Sequence, residues 1–440
     1  MKTLPIVVRR LWLTRLTGAA TLVLISVTWP LWLPPTPTSF PQLPLFAWLI
    51  PAPAWCDWIA LAGIVVGAVG MAVSRESEAQ ARGDAAAPRL RFGLTWALAL
   101  APALFTLSLA FALALNQIRI QVWAYQFLLL GAVLSLCPQS ETGDRAAVTL
   151  GRVLAVGVLF HSGLSKLDLA FAEGPGSWLM GGFLSLFGVE ANGLDEKAVS
   201  AIAFAVPAWE IALSVLLAVP SLRRVGLIAA VFMHTSVVAT LWKLDQSWGV
   251  LLWNAFFLAH EFLLFWPAPK SEGVPLWTTL RTAGPRALPA GLLIAAAVLL
   301  PFGTRSGYWD VWPGWAVYAG GVPKARVIRP MTLAEIRRYD PDGTWPFGHD
   351  MPEDYDRRGL ERLGAPVPQD PRVRVGLVVA DVLRGRVRHP SLTVLSPGAR
   401  WETDSGTAAG YQGDERVRRF ADDFLLNARP RALSLPAEAP

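Results

Sequence analysis

A histidine, a lysine and an aspartate lie within eight residues of one apolar segment. The stretch FHSGLSKLD, residues 160–168, belongs to the longer run LAVGVLFHSGLSKLDLAF, which otherwise has the composition of a membrane span. Ionisable groups inside hydrocarbon are costly unless they are paired, hydrated or near an interface, so they usually serve a function. The lysine is therefore a candidate general base, provided that its surroundings favour the neutral amine.

Helical geometry divides these side chains between two neighbouring faces. At about 100° per residue, His161, Ser165 and Asp168 share one face, and Lys166 lies on the next face with Gly163. A glycine there lets another helix or a ligand approach the lysine stem. Lys166 also lies near the outer end of its span. A lysine that only extends its charge to the lipid headgroups is therefore the competing interpretation.

Two later segments place ionisable groups near the middle of predicted spans. These groups are Glu210 in VPAWEIALSVLL and His234 in VFMHTSVV. With a rise of about 1.5 Å per residue, both lie at nearly the same depth as His161. We expect Glu210 to approach His161 or His234 in a buried polar cluster. Interhelical hydrogen bonds that only hold the bundle together are the alternative.

The segment LLWNAFFLAHEFLLFW adds three more polar residues. Asn254 and Glu261 are seven positions apart and share a helix face. His260 and Glu261 lie toward the inner end of this span, where we expect them at the level of the headgroups.

Nine apolar stretches approach the roughly 20 residues that a membrane helix needs. They are 16–33, 57–74, 92–114, 119–137, 150–168, 200–219, 224–242, 248–266 and 286–302. The residues after 302 are different, because they carry 20 Lys+Arg and 18 Asp+Glu, more charge than all the residues before them. The sequence predicts an all-α polytopic membrane bundle in residues 1–302 and a small α+β extramembrane domain in residues 303–440.

The basic residues predict the orientation of this bundle. With the N-terminus inside, the inner segments hold 15 Lys and Arg and the outer loops hold three, namely Arg119, Lys197 and Lys243. Basic residues collect on the cytoplasmic side of membrane proteins. We therefore expect a multi-pass protein of the bacterial plasma membrane with a cytoplasmic N-terminus and a periplasmic C-terminal domain. The start resembles a signal sequence but lacks an A-x-A cleavage site, so we interpret it as a retained span.

Five shorter segments have recognisable patterns. KARVIRP and SLTVLSP read as strands. Residues 413–431 read as an amphipathic helix with Val417, Phe420, Phe424 and Leu425 at helical spacing. The aromatic stretch GYWDVWPGWAVYAGG is typical of an interfacial belt. WLMGGFLSLFG is apolar but too short to span, so we expect it to be re-entrant or interfacial.

Other classes of site find little support in the sequence. Cys56 and Cys137 form no CxxC motif and no Cys/His cluster with metal spacing, so we expect two unpaired thiols and no metal site. The net charge of +6 is typical of membrane proteins with basic inner loops. No basic patch interleaved with aromatic residues indicates nucleic-acid binding.

The order GRVLAVGVLFHSGLSKLD and then VPAWEIALSVLLAVPSLRRVGLIAAVFMHTSVV resembles the HTTM family, which includes the vitamin K-dependent gamma-glutamyl carboxylases. The resemblance covers about residues 10–302 in architecture, with its specific motifs in about 150–260. It implies a helical membrane protein whose C-terminal domain is non-cytoplasmic. In the carboxylases a similar A-G-x-x-K-L-D segment carries the lysine that deprotonates vitamin K hydroquinone.

By position that lysine resembles Lys166, and a later histidine resembles His234. The carboxylases have two adjacent lysines where this chain has Ser165 and Lys166. DoxX-like proteins, which are linked to quinone or thiol redox, share a similar G-x-x-K-L pattern and are a more distant resemblance. The two cysteines lie near opposite faces, which counts against a thiol relay.

The resemblance implies a quinol-linked oxidoreductase or carboxylase-like enzyme with its site near the outer leaflet. Lys166 would be the base, and His161, Glu210 and His234 would orient the substrate or relay protons. An isoprenoid quinol would be the cofactor and would enter from the lipid bilayer. The alternative is a non-catalytic scaffold or carrier whose outer domain binds a protein partner that the sequence does not identify. An enzyme requires Lys166, His161 and His234 around one cavity.

Overall fold

The first part of the chain folds into apolar helices, and the second forms a small sheet with helices packed on it. The computed structural model describes residues 4–74, 89–190, 193–266, 275–331, 335–337, 350–402 and 406–435. The longer helices of the first part are α1 (Ile6–Val27), α2 (Trp55–Ala72), α3 (Arg89–Leu115), α4 (Val122–Leu136), α5 (Glu141–Lys166), α6 (Ser177–Ser185), α7 (Glu196–Ala203), α8 (Ala205–Ala218), α9 (Arg223–Lys243), α10 (Trp248–Phe265), α11 (Leu276–Ala283) and α12 (Leu288–Leu299).

Within the described residues, seven helical segments are long and apolar enough to cross a membrane. They are Ile6–Val27, Trp55–Ala72, Glu141–Lys166, Glu196–Ala218, Arg223–Lys243, Trp248–Phe265 and Pro285–Gly303. The nine predicted spans are therefore not all confirmed. Of the other two, 92–114 lies within α3, whose side chains are described from Leu100 onward, and 119–137 corresponds to the shorter apolar helix Val122–Leu136. The 15 residues of Val122–Leu136 rise about 22 Å, which is less than the roughly 30 Å of hydrocarbon in a bilayer.

The helix that carries the opening motif has clear signals at both ends. The Ser140 hydroxyl accepts a hydrogen bond from the backbone N–H of Gly143 at 3.2 Å and caps the start of α5. Glu141 and Asp144 lie in the first turn, where negative charge suits the helix dipole. The helix ends at Lys166, and a cation suits that end for the same reason. These local signals are consistent with the position of Lys166 in the last turn of α5.

Asp168 begins the next helical turn. Its Oδ1 accepts a hydrogen bond from the N–H of Phe171 at 2.8 Å, and its Oδ2 accepts one from Arg305 at 2.9 Å. Asp168 therefore ends α5 and ties it to the segment that follows α12. It takes no part in the cavity described below.

The segment between α5 and α7 forms the short helix α6, which contains all but the last three residues of the WLMGGFLSLFG stretch. Nine residues are too few to span a membrane, as the sequence predicted. A Cβ placed on Gly182 would lie 2.7 Å from Cγ of Leu244, so this glycine permits close packing against the end of α9.

The second part forms a four-stranded antiparallel sheet. Its strands are β1 (Lys324–Pro330), β2 (Asp350–Pro352), β3 (Ser391–Ser396) and β4 (Thr407–Gln412), in the order β2-β1-β3-β4. Val327 pairs with Leu392 in the centre, and both side chains are buried. The helices are α13 (Tyr355–Leu363), α14 (Pro371–Leu383) and α15 (Asp414–Asp422). Both predicted strands are confirmed as β1 and β3.

Two predictions for the second part need correction. The amphipathic helix is shorter than predicted, because α15 ends at Asp422; Val417 is buried, but Leu425 lies beyond the helix and is fully exposed. The aromatic stretch after α12 is not a simple lipid-facing belt. Trp315 is 1% exposed, and its indole N–H donates to the carbonyl of Ala297 at 3.1 Å. Trp312 and Trp315 are buried, whereas Tyr308 is exposed, so only part of this stretch packs against the helices.

A buried ion cluster joins the C-terminal segment to the membrane part. Asp57, at the start of α2, pairs through Oδ1 with Arg119 at 2.8 Å and through Oδ2 with Arg431 at 2.7 Å. All three side chains are at most 1% exposed. Arg119 also donates to carbonyls of the chain after α1, and Arg431 donates to the carbonyl of Ala52 at 2.6 Å. The start of α2 and the residues just after α3 are therefore held together by Arg431 from the second part of the chain.

Candidate functional site

Lys166 is buried and forms an ion pair with Glu210. Its Nζ lies 3.0 Å from Oε1 and 2.9 Å from Oε2 of Glu210. It also donates to the hydroxyl of Ser162 at 2.6 Å and to the carbonyl of Ser162 at 3.1 Å. The hydroxyl of Ser162 donates in turn to Oε1 of Glu210 at 3.2 Å. An ammonium has three N–H donors, and three acceptor groups surround this one, so the geometry is that of a protonated lysine.

Close contact between α5 and α8 produces this pair. A Cβ on Gly163 would lie 2.7 Å from Cγ1 of Ile211 and 2.9 Å from the carbonyl of Pro207, so only glycine permits the approach without a shift. Glu210 lies one turn beyond Pro207 and points toward the end of α5. The predicted role of Gly163, to admit another helix beside the lysine, is confirmed.

The predicted cluster of Glu210 with histidines is wrong. Among the described residues, Lys166 and Ser162 donate hydrogen bonds to Glu210, and neither His161 nor His234 does. Depth along a helix axis does not by itself decide which side chains meet, because their rotation about that axis also matters. His161 and Lys166 are five residues apart on α5, which turns their side chains about 140° from each other at 100° per residue.

His161 faces the segment after α12. Its Nε2 lies 2.7 Å from the carbonyl of Val298, and its ring contacts Phe302 at a centroid distance of 4.8 Å. With Ser165 and Arg305 it lines a separate cavity of about 50 Å³, large enough for a water molecule or two. The condition that His161 shares one cavity with Lys166 and His234 is not met.

Lys166, Glu210 and His234 do line one common cavity. Its volume is about 330 Å³, and its wall comes from α5, α6, α8, α9, α10 and residues 317–318. Ser162 and Asn254 add polar atoms, and the remaining wall is mostly apolar, with aromatic side chains that include Trp209 and Phe257. Mostly apolar cavities with a few convergent polar groups are typical of small-molecule sites, and their usual volume starts at about 300 Å³.

Tyr318 closes part of this cavity. Its backbone φ is 59°, a left-handed value that residues other than glycine rarely adopt. Its hydroxyl donates to Oε1 of Gln246 at 3.0 Å, and its ring lies 6.1 Å from that of Trp178. Backbone conformations of this kind persist where the surroundings hold them, and they concentrate at functional sites. The sequence offered no signal for this residue beyond its place in an aromatic stretch.

A second polar group of the cavity is centred on His234. Its Nδ1 lies 3.1 Å from Oδ1 of Asn254, and the amide nitrogen of Asn254 donates to the carbonyl of Val250 at 2.9 Å, which fixes the orientation of that amide. On the other side, Nε2 of His234 lies 3.4 Å from Oε2 of Glu261. Both ring nitrogens of His234 thus face an oxygen.

Glu261 is the residue that the sequence placed incorrectly. We expected His260 and Glu261 at headgroup level, but both are 0% exposed within the bundle. The expectation treated the end of α10 as a free end, whereas α1 and α5 pack against it. The spacing of seven between Asn254 and Glu261 did predict a shared face, and both meet His234 from that face.

The described residues hold no group of three His, Cys, Asp or Glu side chains that could bind a metal ion. Cys56 and Cys137 are both buried and unpaired.

The fold and this cavity define a helical protein whose described part has seven segments able to cross a membrane and an internal, mostly apolar cavity lined by an ion pair and a histidine. Comparison of the chain with known protein families, curated proteins and solved structures gave no match.

Proposed function

We propose that the cavity binds an isoprenoid quinol and that the protein is a membrane enzyme of quinol-linked oxidative chemistry, of the HTTM carboxylase-like type. One observation carries the proposal: the Lys166–Glu210 pair and His234 line the same mostly apolar cavity. A quinol ring is flat and apolar, with a hydroxyl group at each of two opposite ends. It needs apolar walls and separate polar partners, and an apolar cavity with two polar groups provides both.

The geometry changes the role that we give to Lys166. Its amine is surrounded by acceptors, so the carboxylate of Glu210 is the available base. Glu210 would accept the hydroxyl proton of the quinol. The ammonium of Lys166 would stabilise the negative charge that forms on the quinol oxygen, because a fixed cation acts strongly in a water-poor site.

We also propose the membrane and orientation that the basic residues indicate. The protein would lie in the bacterial plasma membrane, with its N-terminus in the cytoplasm and the sheet domain in the periplasm. The support is the 15-to-three distribution of basic residues between the two sides. Of the inner residues, Lys2, Arg75, Arg82 and Lys270 lie outside the described part of the chain. The cavity would then lie near the outer leaflet, because Lys166 ends a helix that runs outward.

The alternative is a non-catalytic scaffold or carrier, and the quinol-binding experiment given below distinguishes it from an enzyme. It finds support in the ion pair, because the Lys166 amine is fully bonded within the protein and could serve packing alone. A scaffold would keep this pair without binding a quinol.

The test is quinol binding and consumption by the purified protein in detergent. Trp209 and Trp253 line the cavity, so a bound quinone should quench tryptophan fluorescence saturably. In air, each quinol that loses two electrons and two protons to dioxygen should give one quinone and one hydrogen peroxide. Glu210→Gln should lose this activity, and Glu415→Gln, which removes an exposed carboxylate of α15, should keep it. Absence of saturable quenching would overturn the proposal and favour the scaffold.

A further inference from the structure

The contact between His234 and Glu261 has a feature that the proposed function does not use. Glu261 is fully buried, and neither of its oxygens accepts a hydrogen bond from any residue that the structure describes. Its one close polar contact is Nε2 of His234 at 3.4 Å. An ionised carboxylate would leave several lone pairs without donors, which is very costly in an apolar interior.

The orientation of Asn254 restricts where protons can lie on His234. Oδ1 of Asn254 can only accept, so Nδ1 of His234 carries a hydrogen and donates it. In the neutral ring, Nε2 then carries no hydrogen, and its lone pair points toward Glu261. A lone pair opposite a carboxylate is repulsive, but a carboxylic acid there can donate its O–H to that nitrogen. One proton on Glu261 removes both the repulsion and the buried charge.

Other charged groups near this contact are engaged elsewhere. Arg9 on α1 donates to the carbonyls of Leu263 and Leu264, and Arg152 on α5 donates to the carbonyl of Leu264 at 2.8 Å, about one turn beyond Glu261. The neighbouring ring of His260 stacks on Phe256 at a centroid distance of 5.4 Å. Across the cavity, Lys166 and Glu210 neutralise each other.

We propose that Glu261 is a carboxylic acid whose proton faces His234, and that this proton moves to His234 when the cavity ligand becomes an anion. The movement breaks the O–H bond of Glu261 and forms an N–H bond at Nε2, so no atom is gained or lost. An empty or uncharged cavity favours two neutral side chains. A negative ligand beside His234 favours an imidazolium, because the cation then lies next to the new charge.

The second half of this inference rests on the proposed function, since it requires an anionic ligand such as a deprotonated quinol. Glu261 touches no ligand in this scheme and acts through His234, so it is a positioning residue. Its proton would allow His234 to present a positive charge to the cavity, balanced by the carboxylate left on Glu261, without water or a proton from outside.

Infrared spectroscopy of the ligand-free protein in detergent tests the first half. A protonated carboxyl group gives a C=O stretching band that carboxylates lack. The wild type should show a component of this band that Glu261→Gln loses and Glu210→Gln keeps. Burial raises the pKa of Asp370 to about 7, so Asp370 contributes a component that all three proteins share. If the wild type and a folded Glu261→Gln have the same spectrum in this region, Glu261 is ionised and the inference is wrong. If Glu261→Gln does not fold, Glu261→Asp combined with ¹³C-glutamate labelling decides, because the aspartate band would not shift with the label.

A matched pair of probes tests the second half. An alkyl-hydroxynaphthoquinone is an anion at neutral pH, and the alkyl-naphthoquinone of equal chain length is uncharged. The anion should abolish the Glu261 band, and the uncharged probe should leave it. If the Glu261 band persists while the anionic probe is bound, the proposed proton movement is wrong, but the protonated state of Glu261 in the ligand-free protein still stands. If neither probe binds, the proposed function fails and the proton movement with it, whereas the ligand-free band still decides the state of Glu261.

Discussion

The amine of Lys166 lies 2.9 Å from Oε2 of Glu210, across the contact between α5 and α8. The lysine side chain is 4% exposed and the glutamate side chain 16%. This pair turns two costly buried charges into one neutral unit beside a cavity. In the proposed chemistry the two roles then belong to separate residues: Lys166 is the fixed cation and Glu210 is the base.

Removing Glu210 should affect stability and activity separately. In Glu210→Gln the buried ammonium loses its counter-charge, and we expect a loss of about 3 kcal/mol in the free energy of unfolding. Removal of a general base should lower the rate of quinol consumption by about 10²- to 10⁴-fold. Thermal unfolding in detergent and a quinol assay measure the two effects. The double variant Lys166→Met/Glu210→Leu should recover much of the stability and none of the activity. Recovery of activity would show that the pair serves packing alone.

Substitution of Lys166 by arginine distinguishes a base from a fixed cation. Arginine keeps the positive charge but effectively cannot lose a proton. If Glu210 is the base, Lys166→Arg should retain quinol consumption within about tenfold of the wild type, because the transition-state charge still meets a cation. If Lys166→Arg still folds and binds the quinol but loses all quinol consumption, Lys166 itself is the base.

The cluster of Asp57 with Arg119 and Arg431 should be essential for stability. Asp57→Asn leaves two buried guanidinium groups without a counter-charge, and we expect a loss of about 3–5 kcal/mol. The control is Glu415→Gln, which breaks an exposed pair with Arg419 and should cost less than about 1 kcal/mol. Thermal unfolding and proteolysis of the C-terminal segment measure the effect. Equal unfolding temperatures for the two variants would contradict the assigned role.

Asp370 should make the sheet domain less stable as pH rises. Burial, together with the nearby charge of Asp310, raises the pKa of Asp370 from its ordinary value of 3.8 to about 7. Between those values the folded state binds more protons than the unfolded state, so stability falls with rising pH and levels off above about 7. Asp370→Asn should remove this slope. Unfolding temperatures measured across that range provide the test, and an unchanged slope in the variant would assign the dependence to another group.

The proposed orientation can be tested with two single cysteines. The native cysteines are buried, so background labelling should be low. Glu141→Cys lies at the exposed start of α5, and Glu415→Cys lies on the exposed face of α15. A membrane-impermeant maleimide applied to intact spheroplasts should label position 415 and should label position 141 only after permeabilisation. The reverse pattern would invert the proposed topology.

Local patterns in the sequence determined the elements and the motif, but not its partners. Apolar length predicted the helices, alternation predicted β1 and β3, and Gly163 beside Lys166 predicted a close helix contact. Each of these depends on residues close together in the chain. The number of spans was harder to predict, because apolar composition alone does not reveal that the helix Val122–Leu136 is too short to be a clear span.

Tertiary structure decided which polar groups meet. Glu210 is 44 positions from Lys166, and Glu261 is 27 positions from His234, so their contacts depend on how whole helices rotate and pack. Depth along a helix axis gave the same level for His161, Glu210 and His234, but rotation about that axis sent His161 to another cavity. The sequence could identify buried charges as costly. Only the packing of α5, α8, α9 and α10 determined that a lysine balances one carboxylate and a histidine faces the other.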